Sequence, residues 1–170
     1  MRLRFLACTP PCMGRPMNDL KNKTKEAVIQ IAKWQVGVME SPAGSNRQKY
    51  GEYYGMNGYA WCLMFVWWVF HQAGFNLRKT ASCTELTNAY KAAGQWVTSG
   101  FKPGDIVMFD FSGRKRITEH CGIVIEVTPS HVVTIEGNTS AGNNTNGGAV
   151  MERIRNLNLI TGACRPGYNM

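Results

Sequence analysis

The order of periodicities along the chain predicts an α+β fold in which N-terminal helices pack on an antiparallel β-sheet. Apolar residues recur at helical spacing in the first half, then at strand spacing from Ile106 onward, and the strands are separated by turns too short for parallel crossovers. With 170 residues and 44% apolar content the chain is sized for one domain with its own core, without disulfide staples.

Taken in order, residues 24–36 place Ala27, Val28, Ile31 and Ala32 on one helical face, with Glu26 in the first turn and Gly37 as the stop. Residues 41–58, rich in Gly, Tyr and Asn, read as a loop forming one wall of a cleft. Gly55 and Gly58 then break the chain before a second helix over residues 59–70, closed by Gly74 after Ala73. Ser82 and Glu85 have capping-box spacing for a third helix that runs to Ala93 and stops at Gly94. Strands are expected over residues 106–109, 122–127, 132–135, 150–154 and 160–164, with Thr128-Pro129-Ser130 turning one hairpin. Residues 138–148 read as a flexible loop. No internal repeat is present.

Chemistry enters with Cys62, in the first turn of the second helix. A thiol there faces unpaired backbone N–H groups and the positive end of the helix dipole, both of which favour thiolate. In isolation the same residue reads first as a small buried hydrophobe, and the residues downstream reverse that reading. His120 opens the first strand of the hairpin, and Glu136 and Asn138, two apart on the second strand, share a face on which they would meet its ring. A thiol on a helix, an imidazole on a strand and a carboxylate or amide to orient the ring are the parts of a cysteine acyl-transfer site. The oxyanion would take the backbone N–H of Cys62 and, as a second donor, the side chain of Asn57, which reads alternatively as a turn residue before Gly58. Trp61 is assigned to the core or to the cleft wall. Trp67, Trp68 and Phe70 are core, and His71 and His131 belong to no constellation.

Four ordered elements, Trp61-Cys62 with Phe65 and Trp68 behind it, Lys102-Pro103-Gly104-Asp105-Ile106-Val107, His120-Cys121-Gly122-Ile123-Val124 and Ile135-Glu136-Gly137-Asn138, resemble the CHAP domain, the cysteine, histidine-dependent amidohydrolases and peptidases. The likeness spans roughly residues 24 to 165. It implies a papain-like, NlpC/P60-like fold and hydrolysis of an amide or peptide bond of peptidoglycan, as in endolysins and autolysins, with Cys62 as nucleophile, His120 as base and Glu136 and Asn138 in support. The alternatives are an NlpC/P60-type peptidase or a non-catalytic module binding cell wall or nucleic acid. Cys121 stands where the family carries an aliphatic residue; strand alternation points it away from His120, and it reads as packing.

A formal net charge of +8 calls for an acidic partner or for nothing beyond a solvated surface. The positive residues are scattered, apart from Arg114-Lys115-Arg116, and no phosphate loop, zinc-ligand spacing or RNA-binding signature accompanies them, so nucleic acid is not expected; the resemblance implies peptidoglycan with its anionic wall polymers as the partner. No cofactor or metal is expected, since Glu52 is the sole carboxylate between Ser41 and Trp61, too few hard ligands for calcium. The six cysteines lack disulfide-scaffold spacing, which with a free Cys62 suggests synthesis in a reducing compartment. Residues 1–18, with Cys8 and Cys12, read as a flexible leader lacking the apolar core of a signal peptide, and residues 19–170 as the catalytic domain. The expectation is a monomer, made in the cytoplasm, acting at the bacterial wall and not inserted in a membrane.

Overall fold

A computed structural model describes residues 20–169; the expected leader, with Cys8 and Cys12, lies outside them. Four helices precede most of the sheet: α1 (Lys25–Lys33), α2 (Lys49–Tyr54), α3 (Cys62–Gln72) and α4 (Cys83–Ala92). The strands are β1 (Trp96–Val97), β2 (Ile106–Phe109), β3 (His120–Val127), β4 (His131–Thr139), β5 (Ala149–Asn156) and β6 (Ile160–Cys164). They form one antiparallel sheet in the order β1-β6-β2-β3-β4-β5. No helix among the described residues is long and apolar enough to cross a membrane.

Local signals set the helix starts. Thr24 accepts a hydrogen bond from the Ala27 N–H at 3.2 Å, and Ser82 accepts from Glu85 at 3.2 Å, each satisfying a donor that the first turn leaves open. The capping box of α4 is only half made, because the Glu85 carboxylate takes the Thr80 hydroxyl at 2.7 Å instead. α1 ends at Lys33, three residues short of the expected Val36. The cleft-wall segment holds a helix where a loop was expected: Gln48 caps α2 by accepting from Tyr50 at 2.6 Å and Gly51 at 2.8 Å, and Tyr50 is fully buried between α3 side chains. A six-residue helix carries almost no periodicity of its own, so its stability comes from that cap and burial.

Every residue of α3 from Cys62 to Phe70 is buried, as befits a helix covered by the sheet on one side and by α1 and α2 on the other. The contact with β4 is close enough to require Gly137, where a Cβ would come within 2.7 Å of Phe65 Cβ. The sheet therefore has two distinct faces. Ile106, Met108, Cys121, Ile123 and Ile135 point at α3 in the main core, while Val107, Phe109, Val124 and Val132 point away into a second apolar cluster. Far from that contact, Asp105 is buried and clamped by Arg165 at 2.7 and 2.9 Å, which ties the entry of β2 to the C-terminal segment.

Candidate active site

Cys62 is the first residue of α3, and Trp61 before it makes no side-chain cap, so the first-turn N–H groups are left open towards the thiol. Cys62 as a residue is 7% exposed. Trp61 is fully buried and stacks on Tyr50 with ring centroids 5.6 Å apart. It belongs to the core, and its expected alternative place on the cleft wall is corrected by that burial.

His120 opens β3 and projects with Val124 onto the face away from α3, where it lies beside Phe109 and Phe111 at centroid distances of 6.1 and 5.9 Å. Glu136 on β4 reaches it from the same face, Oε2 standing 3.0 Å from His120 Nε2. Gly122 makes this reach feasible: the Glu136 side chain crosses directly over it, and a Cβ at that position would lie 2.7 Å from Glu136 Cγ. The carboxylate also accepts the Thr134 hydroxyl at 2.6 Å and both arms of Arg155, Nε at 2.8 Å and Nη2 at 2.5 Å. Arg155 is 4% exposed, and its guanidinium lies 4.9 Å from the centre of the Phe111 ring. Burial alone would raise the pKa of Glu136, but the Arg155 hydrogen bonds and then His120 outweigh it and hold the group below the ordinary carboxylate range.

A carboxylate can only accept, so Nε2 of His120 carries the proton and the neutral ring presents Nδ1 as its basic atom. Nδ1 is buried and makes no hydrogen bond of its own in the resting geometry. The ring still lies near enough to Cys62 to feel its charge. Burial acts to lower the His120 pKa, yet the interactions with Cys62 and then Glu136 raise it from 6.5 to about 9. The Cys62 thiol is lowered well below its ordinary value, first by hydrogen bonding from Cys121 and Cys83, then, against the opposing effect of burial, by His120. A thiolate–imidazolium pair is the state these interactions favour.

The relay and the thiol thus occupy opposite sides of the sheet and meet at the start of β3. This geometry corrects the reading of Cys121 as remote packing. Cys121 does point opposite to His120, but the opposite face is the one covered by α3, and its sulfur joins those of Cys62 and Cys83 within 4.8 Å of one another. Asn138 also departs from the period-2 expectation. A register shift follows Glu136, Asn138 takes a left-handed φ of 56°, and its amide accepts from Gly148 N at 3.2 Å and donates to Asn146 at 3.4 Å. It braces the 138–148 loop, which Arg153 and Arg155 tie down further through Ser140 and Asn144, so the loop expected to be flexible is cross-linked by hydrogen bonds. The Asn57 carbonyl accepts the N–H groups of Gln48 and Gly58, both at 3.1 Å, the pattern of a turn residue. His71 is exposed at the end of α3, and His131 is held by Thr128 at 2.9 Å, both apart from the site.

Sequence reasoning missed Arg155, Thr134 and Cys83. Thr134 and Glu136 are two apart on one strand, a visible signal; Arg155 was placed beyond the end of its strand, and Cys83 comes from a helix whose approach no local pattern encodes.

The family model described as CHAP domain matches residues 53–138, half of the chain, a span that contains Cys62, His120 and Glu136. No curated protein matches the sequence. Among solved structures, the chain is similar to the crystal structure of Ly7917, with 17% identity and a TM-score of 0.49, and to that of Ly7917 with the hydrolyzing product of MDP, with 16% identity and a TM-score of 0.46. In each, 89% of this chain is covered, and it spans 63% of the other chain's length.

Proposed function

The chain belongs to the CHAP domain family, and on that premise we propose that it is a peptidoglycan hydrolase that cleaves an amide or peptide bond through Cys62. The observation that carries the reading is the continuous buried path from Arg155 through Glu136 to Nε2 of His120, which leaves Nδ1 as the only basic ring atom available to the thiol at the head of α3.

In this mechanism the Cys62 thiolate adds to the carbonyl carbon of the scissile bond and the carbonyl oxygen becomes an oxyanion. The backbone N–H of Cys62 is the oxyanion donor the open first turn supports. Asn57 remains a second-donor candidate through its NH2 group, because its oxygen is spent on the turn. His120 gives its Nδ1 proton to the departing amine, leaving a thioester on Cys62. Neutral His120 then takes a proton from water, the hydroxide adds to the thioester, and the carboxylic acid leaves as Cys62 returns to thiolate. Glu136 stays ionised throughout and stabilises the imidazolium; Arg155 and Thr134 hold Glu136 in place. Asn138 acts at a distance, by fixing the loop next to β4. The net charge of +8 complements anionic wall polymers and supports the same substrate.

Digestion of purified bacterial walls tests this reading. Amide or peptide cleavage liberates new amino groups and no new reducing sugar ends, and mass spectrometry of the fragments identifies the bond. Iodoacetamide at neutral pH should label Cys62 and abolish the release. Walls that yield reducing ends alone, or no fragments from a protein whose Cys62 alkylates readily, would overturn it.

A further inference from the structure

Acyl transfer needs one thiol, and this site holds three. The sulfurs of Cys62 on α3, Cys83 on α4 and Cys121 on β3 lie within 4.8 Å of one another, all buried and none disulfide-bonded. We propose that Cys62, Cys83 and Cys121 form a binding site for a thiophilic d10 cation such as Zn2+, with water from the open side as the fourth ligand, and that occupation reversibly silences the nucleophile. The silencing rests on the reading of Cys62 as nucleophile; the site itself does not.

Geometry favours a metal over a disulfide. A tetrahedral zinc with Zn–S bonds of about 2.3 Å sets its sulfurs about 3.8 Å apart, so sulfurs already within 4.8 Å need to close by roughly 1 Å or less. A disulfide requires about 2 Å between two of them, a larger displacement, and leaves the third unused. His120 stands outside the group of atoms that lie within 4.8 Å of one another, so the fourth position of the tetrahedron falls to water. Sulfur ligands also select against magnesium and calcium, which take oxygen. Entry is open at one side, with Cys62 and Cys83 each 7% exposed and Cys121 at the closed end.

Starting from the Cys62 thiolate, binding forms three metal–sulfur bonds and releases one proton each from Cys83 and Cys121 to solvent. The Cys62 electron pair that would attack is then donated to the metal, which lowers the nucleophilicity of the sulfur.

Cobalt(II), a spectroscopic stand-in for zinc, tests the site on the full chain under reducing conditions. Titration should develop a thiolate-to-cobalt charge-transfer band that saturates at one equivalent and is bleached by one equivalent of Zn2+. Cys83→Ser and Cys121→Ser, each checked for folding by circular dichroism, should weaken cobalt binding by about 100-fold or more, since altering an outer-shell partner alone costs roughly 10–100-fold. Zinc should block iodoacetamide labelling of Cys62 in the wild type and EDTA should restore it. Absence of the charge-transfer band, wild-type affinity in both serine variants, or a block that yields to dithiothreitol but not to EDTA would overturn the proposal. Because band and labelling require no wall substrate, a protein that binds cobalt but leaves walls intact would sink the hydrolase reading and leave the site standing.

Discussion

The two faces of β3 solve the placement of a reactive group in opposite ways. On the face away from α3, Glu136 is fixed by Arg155, Thr134 and His120 through hydrogen bonds of 2.5 to 3.0 Å, and the aromatic rings of Phe109 and Phe111 close over them. On the face towards α3, Cys62 is surrounded by two other thiols, weak donors that set no rigid geometry. The difference teaches where tolerance lies. A buried ion network is costly to break because the surviving charge is stranded, so changes there damage stability and activity together. Changes at the thiol side alter chemistry and leave the fold largely intact.

The largest effect should come from the thiol side. Cys62→Ser should lower wall digestion by about 10^3-fold or more, because a hydroxyl is far less acidic and this imidazole is placed for a thiol. The thermal midpoint should barely move. Turbidity loss of purified walls measures the first and calorimetry the second; activity within about tenfold of wild type would remove Cys62 from its role.

On the relay side, Glu136→Gln should reduce kcat more than Asn138→Ala and should also destabilise the fold by about 3–5 kcal/mol, since it strands Arg155. Asn138→Ala removes only loop bracing. Denaturant titration beside kinetics separates the two, and the reverse order in kcat would exchange their functions. A gentler attack on the same face is Gly122→Ala, which places a methyl group 2.7 Å from Glu136 Cγ. Loss of about 1–3 kcal/mol is expected, with a kcat deficit that reflects displacement of the carboxylate from His120. An unchanged kcat would show that the relay adapts.

The smallest effect is a pH dependence that joins the faces. The folded pKa of His120, about 9, lies above its ordinary 6.5. Its imidazolium therefore contributes stability that is fully present below pH 6.5 and is lost as pH rises through 9. The basic limb of kcat/KM should lie near that value and move to lower pH in Glu136→Gln, which removes a cause of the shift. The lowered thiol pKa works in the opposite sense, its contribution fading as pH falls through the folded value. A basic limb unmoved by Glu136→Gln would mean that the carboxylate does not set the imidazole's charge.

Residue order alone determined the α+β succession, the placement of Cys62 in the first turn of α3, the caps at Thr24 and Ser82, and the strand–turn–strand that puts His120 and Glu136 on adjacent strands. These are short-range matters, in which a glycine, a capping hydroxyl or an apolar period acts within a few residues. Only the tertiary structure decided what each face meets. Alternation says that His120 and Cys121 point opposite ways, but which side α3 covers depends on how the helix packs, and that places Cys121 beside Cys62. The partner of Asn138 followed from a register shift, the cap of α2 from the burial of Tyr50, and the hold of Arg155 on Glu136 from a side chain running across paired strands. Such contacts arise between residues distant in sequence, and local periodicity carries no record of the distance between them.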